Sequence, residues 1–106
     1  MKHSIVVMIS GNGSNLQALI DATFTGALQD CTISLVISNK KAAFGLQRAC
    51  DAHIETWYHN LVAYGKRYPS HDPQVRYSAP AREAYDADLA AKIIDAKPSL
   101  VVCAGW

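Results

Sequence analysis

Apolar residues along this chain change period several times, and that alternation limits the folds open to it. "SIVVMIS" (4–10) is a nearly unbroken β-branched run, the pattern of a strand covered on both faces. Residues 14–24 then carry Leu16, Leu19, Ile20 and Thr23/Phe24 at helical spacing, with Gly26 as a stop. "TISLVIS" (32–38) reads as a second strand. A short helix follows over about 43–52, with Phe44, Leu46 and Ala49/Cys50 available for burial, and "IETWY" (54–58) is a third, short strand. Residues 59–78 hold Gly65, Pro69 and Pro73 among polar neighbours and read as a long loop. Ser78 can cap the longest helix, Pro80 is tolerated in its first turn, and Pro98 ends it. Tyr85, Leu89 and Ile93 form its core stripe. "LVVCAG" (100–105) is a fourth apolar strand, where Cys103 is expected as a buried small hydrophobe.

Helices between strands supply the right-handed crossovers that parallel strands need. The expected fold is therefore α/β, a doubly wound Rossmann-like parallel sheet. Its 106 residues allow one domain at most. Ligands of such sheets sit at the carboxyl ends of the strands, so the residues after strands one and four are the ones to watch.

After strand one comes "SGNGSNLQ". The dinucleotide fingerprint GxGxxG would need a third glycine where Leu16 stands, and an acid near the end of strand two, where Asn39 stands. Both departures weigh against NAD, and the absence of GxxxxGK[ST] excludes a P-loop NTPase. Gly11 and Gly13 still permit a tight turn, and Ser14 and Asn15 open a helix whose free amides favour an anion. The residues leave two readings open: an anion site, or a turn in which Ser14 or Asn15 merely caps the helix.

Other signals are weaker. His3, His53, His59 and His71 show no metal-ligand spacing, so no metal is expected and three or more should lie at the surface. Cys31, Cys50 and Cys103 are odd in number and far apart, which fits free thiols in a reducing, cytoplasmic setting. The net charge of +1 and the lack of a basic stripe give no reason to expect nucleic acid. No apolar run is long enough for a membrane span. Arg82 could reach a ligand or pair with Asp86 one turn on; spacing alone favours the pair. No nucleophile–base pair or carboxylate dyad emerges from spacing.

Four blocks together carry a resemblance: "IVVMISGNGSNLQALID", "ISNKKAAFGLQRA", "REAYDADL" and "VVCAGW". In this order and spacing they resemble the N-terminal half of the phosphoribosylglycinamide formyltransferase (glycinamide ribonucleotide transformylase) family of purine (IMP) synthesis. The resemblance implies formyl transfer from 10-formyltetrahydrofolate, as co-substrate, to glycinamide ribonucleotide. It implies that Gly13, Ser14 and Asn15 bind the phosphoribosyl end of that substrate, and that Arg82 contacts the folate. Residues 64–78, "YGKRYPSHDPQVRYS", look like an insertion of the kind found in fungal members. In the family, the folate loop and the catalytic Asn, His and Asp follow the fourth strand, so none has a position in this sequence. The chain is expected to be the substrate-binding half of a formyltransferase domain, truncated after the fourth strand, inactive alone, and open to self-association through that strand. The alternative is a non-catalytic Rossmann-type phosphate- or nucleotide-binding module.

Overall fold

The computed structural model describes residues 2–106. Strands β1 (His3–Ile9), β2 (Cys31–Ser38), β3 (Thr56–Tyr58) and β4 (Leu100–Cys103) form one sheet in the order β3-β2-β1-β4. All three pairings are parallel. Helices α1 (Ser14–Thr25) and α2 (Phe44–Asp51) make the first two crossovers. Helices α3 (Leu61–Arg67) and α4 (Ala79–Ala96) lie between β3 and β4. The order doubles back at β1, so the loops after β1 and β4 diverge from a switch point, the ligand-binding place of such sheets.

The sheet is covered on both faces at its centre. Ile5, Val7 and Ile9 of β1 meet Leu16, Ile20 and Ala49 on one side. Val6 and Met8 point the other way, toward Leu89 and Ile93 of α4. This explains the unbroken apolar run in β1: both sets of alternating side chains leave water. Strand β2 departs from strict alternation. Ile33 and Leu35, two apart, belong to opposite faces. The cause is a bulge: Ile5 pairs with Ile33 but Val6 pairs with Leu35, leaving Ser34 as the extra residue. The Ser34 hydroxyl lies 2.6 Å from that of Ser4, a partner for a polar group at the bulge.

The helix boundaries follow local chemistry. Helix α1 ends at Gly26 in the left-handed conformation (φ 98°). Ser78 caps α4, accepting from the Ala81 amide at 3.2 Å, and Lys97 closes it before Pro98. The segment read as a long loop holds the two-turn helix α3, whose cap Asn60 accepts from the Val62 amide at 2.9 Å.

The expected burial of Phe44 and Cys103 fails. Phe24 and Phe44 are exposed, because their helices turn those positions away from the sheet. Cys103 is exposed as well. It sits in β4, paired on one side only and poorly covered, with Leu100 55% exposed. Cys31 is half-buried and Cys50 exposed, all three thiols being free.

Candidate functional site at the carboxyl ends of the strands

The loop after β1 is locked by glycine. Gly13 is the N-cap of α1 at φ 82° and is buried. A Cβ there would stand 2.5 Å from the Cα of Gly45, and a Cβ on Gly45 would stand 2.3 Å from Cδ1 of Ile9. The Gly45 amide donates to the Gly11 carbonyl at 3.1 Å. Two helix N-termini, α1 and α2, thus come together at a backbone-to-backbone contact that no side chain could enter. Neither helix has a side-chain cap or an acidic residue in its first turn. The capping reading of Ser14 and Asn15 therefore fails: both are exposed on the first turn of α1, and neither closes its free amides. Unfilled amides and two positive helix ends favour an anion.

Arg48 of α2 holds this turn from beside it. Its Nε donates to the Asn12 carbonyl at 2.9 Å and an Nη donates to Asn12 Oδ1 at 2.7 Å. The other Nη donates to Gln17 Oε1 at 3.3 Å, and the guanidinium sits 4.9 Å from the centre of the exposed Phe44 ring. Every contact is neutral, so its charge adds to the positive field of the turn.

Two cavities open here. The first, about 310 Å³, lies between Ser10, Gly11 and Asn12 on one side and Lys40, Ala42, Ala43 and Phe44 on the other. Gly13, Ser14 and Asn15, the residues singled out from sequence, follow directly along the chain from that wall. The second, about 570 Å³, holds Arg82, Tyr77, Arg76, Tyr58 and Trp106. Lys40 and Ala42 line both, so the cavities adjoin. Buried Ser38 fixes Lys40: its hydroxyl accepts from the Lys40 amide at 3.0 Å and donates to the Lys40 carbonyl at 2.8 Å. The end of β4 closes the group, with the Ser10 hydroxyl donating to the Gly105 carbonyl and the Ala104 amide donating to Met8 at 2.8 Å. Asn39 Oδ1 is buried at the second cavity without a partner.

Arg82 does not make the ion pair that spacing favoured. Among the described residues no salt bridge joins it to Asp86, which lines the same cavity. Its guanidinium lies 5.7 Å from the centre of the Tyr77 ring.

Four blocks of sequence, a parallel sheet and paired cavities at its switch point now meet in one comparison. The formyl transferase family matches residues 3–106. The chain belongs to the formyl transferase family. It is 51% identical over 107 residues to phosphoribosylglycinamide formyltransferase of Schizosaccharomyces pombe, a match covering all of this chain and 48% of that protein. It is 45% identical over 103 residues to the enzyme of the same name in Escherichia coli, covering 97% of this chain and 41% of that one. Among solved structures, the phosphoribosylglycinamide formyltransferase of Coxiella burnetii superposes with a TM-score of 0.78 at 36% identity. That match covers all of this chain and 42% of the other. The chain therefore spans about half the length of the curated relatives it matches.

In this formyl transferase chain no histidine lines either cavity. His59 is buried, and the other three histidines are exposed. His59 Nε2 lies 2.9 Å from the Tyr85 carbonyl, which can only accept, so Nε2 carries the proton. The Tyr85 hydroxyl donates back to the His59 carbonyl at 3.0 Å. Its ring is stacked between Trp57 (4.3 Å) and Tyr85 (3.8 Å), sealed from any reactant. Burial, foremost, pushes the Tyr85 phenol up to about 12. Burial and the hydrogen bond that Tyr64 donates to Asp88 raise the Tyr64 phenol too. Among the described residues no group of three His, Cys, Asp or Glu side chains is placed to hold a metal ion. Among the described residues no helix is long and apolar enough to cross a membrane.

Sequence reasoning missed Lys40, Asn12 and Arg48. Lys40 was findable in principle, since it follows strand two directly and strand ends face the ligand. Arg48 was not, because its contacts with Asn12 span 36 positions.

Proposed function

We propose that this chain is the substrate-binding half of a phosphoribosylglycinamide formyltransferase of purine (IMP) synthesis. One observation carries the reading: the side-chain-free contact of Gly13 with Gly45 leaves the first amides of α1 uncapped beside a cavity walled by Lys40. Gly13, Ser14 and Asn15 hold the phosphate of glycinamide ribonucleotide there. The adjoining cavity takes the formyl donor, 10-formyltetrahydrofolate. Its residues suit that molecule: Tyr58, Tyr77 and Trp106 offer aromatic surface, and Arg82 offers a guanidinium for a carboxylate. The two reactants then lie side by side, joined at Lys40.

Formyl transfer passes through a tetrahedral intermediate. The attacking amine must lose a proton and the oxyanion must be stabilised. His59 is sealed and no histidine lines either cavity, so this chain is read as the half that binds and orients the reactants. Titrating the ¹⁵N-labelled chain with glycinamide ribonucleotide tests the reading. Saturable shifts confined to the amides of residues 11–17 are expected, with none from NAD. Shifts with NAD alone would favour a dinucleotide module, and turnover by the purified chain would refute the division of labour.

Self-association through β4 and a cytoplasmic location belong to the same reading. The exposed apolar side chains and free edge of β4 support the first, and the three free thiols support the second.

A further inference from the structure

Residues 68–78 take no part in the phosphate turn, yet two of them, Arg76 and Tyr77, line the second cavity. The Ser78 hydroxyl donates to the Tyr68 carbonyl at 2.7 Å and closes the neck of the segment while also capping α4. The Tyr77 ring lies on Gly65 of α3, where a Cβ would stand 2.8 Å from Cε1 and 2.9 Å from Cδ1. The ring thus fills the space that a side chain at position 65 would claim.

Two guanidiniums gather at that ring. Arg76 stands 5.2 Å from its centre and Arg82 5.7 Å. Each cation–π contact is worth only about 0.5–1 kcal/mol at an exposed site, little to balance two like charges drawn to one ring. Lys40 and Lys41 add two more cations to the walls, and Asp86 is the single acidic side chain among the lining residues. A cavity with four cations, one acid and aromatic faces is complementary to an aryl ligand bearing more than one carboxylate. Each guanidinium can take one carboxylate in a forked pair.

We propose that Arg76 and Arg82 form a two-guanidinium clamp for an aryl dicarboxylate, and that segment 68–78 serves to carry the second guanidinium. The clamp rests on the proposed reading of Arg82 as a contact for a carboxylate of the folate donor, whose glutamyl tail is an aryl amide ending in two carboxylates. Arg82 takes one and Arg76 the other.

Two near-isosteric probes test it on the 106-residue chain by calorimetry. p-Aminobenzoylglutamate has two carboxylates, and p-aminobenzoylglutamine has an amide in place of one. Wild type is expected to bind the first about fivefold or more tightly than the second, as one added ion pair predicts, with a preference that shrinks in high salt. Arg76→Gln should bring the probes to within about twofold, and Arg76→Lys should restore part of the preference. Gly65→Ala, whose methyl displaces the Tyr77 ring, should reduce the preference while circular dichroism stays unchanged. Equal wild-type affinities, or a preference that survives Arg76→Gln, overturn the clamp. If neither probe binds, or if Arg82→Gln binds as well as wild type, the tail reading of Arg82 falls and takes the clamp with it. Arg82-dependent binding without a preference leaves that reading standing and overturns the clamp alone.

Discussion

Single residues decide the site through what they lack. Gly13 combines a left-handed backbone with a position against the Gly45 Cα, so Gly13→Ala adds both backbone strain and a clash with main chain that cannot swing away. Gly11 has open space where its Cβ would be. Gly13→Ala should therefore cost about 2 kcal/mol or more in urea unfolding, and Gly11→Ala less than about 1. Equal costs would show that the close approach is not what holds the turn. Tyr85 supplies a pH test. Its phenol titrates near 10 when unfolded and near 12 in the fold, so the folded state prefers the neutral form. Its stabilisation is complete below pH 10 and is lost as pH rises from 10 through about 12, by roughly 2–3 kcal/mol. Tyr85→Phe should flatten that part of the alkaline profile, at the cost of the bond to His59, about 1 kcal/mol at neutral pH.

At the scale of elements, the two crossover helices work as a pair. Helix α1 presents uncapped amides, and α2 sends Arg48 across to Asn12, so the loop is tied at both ends. Arg48→Met keeps much of the stem but removes the charged donors. It should cost about 1 kcal/mol of stability and speed amide hydrogen exchange at residues 11–14 while β1 stays protected. Unchanged exchange there would mean that the glycine contact alone holds the loop. Helix α3 shows the limit of pattern reading: it has seven residues, contains Gly65 and buries none of its side chains, so no apolar period announces it. Its one local signal was Asn60 as a cap. What stabilises it is tertiary, the edge-on contact of Tyr64 with His59 and Tyr85 and the hydrogen bond from Tyr64 to Asp88.

Over the whole molecule, burial is uneven. The radius of gyration is 15.3 Å, against about 13 Å for a typical domain of this length, and the longest extent is 51 Å. The β2-β1 centre is well covered, while Leu100, Val101 and Ile94 remain exposed on the β4 side. An apolar edge with unpaired backbone groups invites another strand. Sedimentation of the chain should show reversible, concentration-dependent association, and Val101→Lys should suppress it; a monomer at every concentration would rule it out. The parallel α/β architecture, all four strands, three helices with the caps at Gly26 and Ser78, the place of Tyr85, Leu89 and Ile93 in the core, and the glycine turn were all legible in the residues alone. These follow from local chemistry and hydrophobic period, which a short window of sequence contains. Packing across the fold, by contrast, set the bulge that flips the faces of β2, the contact of Gly13 with Gly45, the grip of Arg48 on Asn12, the freedom of Arg82 from Asp86, and the approach of both Arg76 and Arg82 to the Tyr77 ring. Each depends on residues brought together across a crossover or by packing, and on which face a side chain finally turns to water.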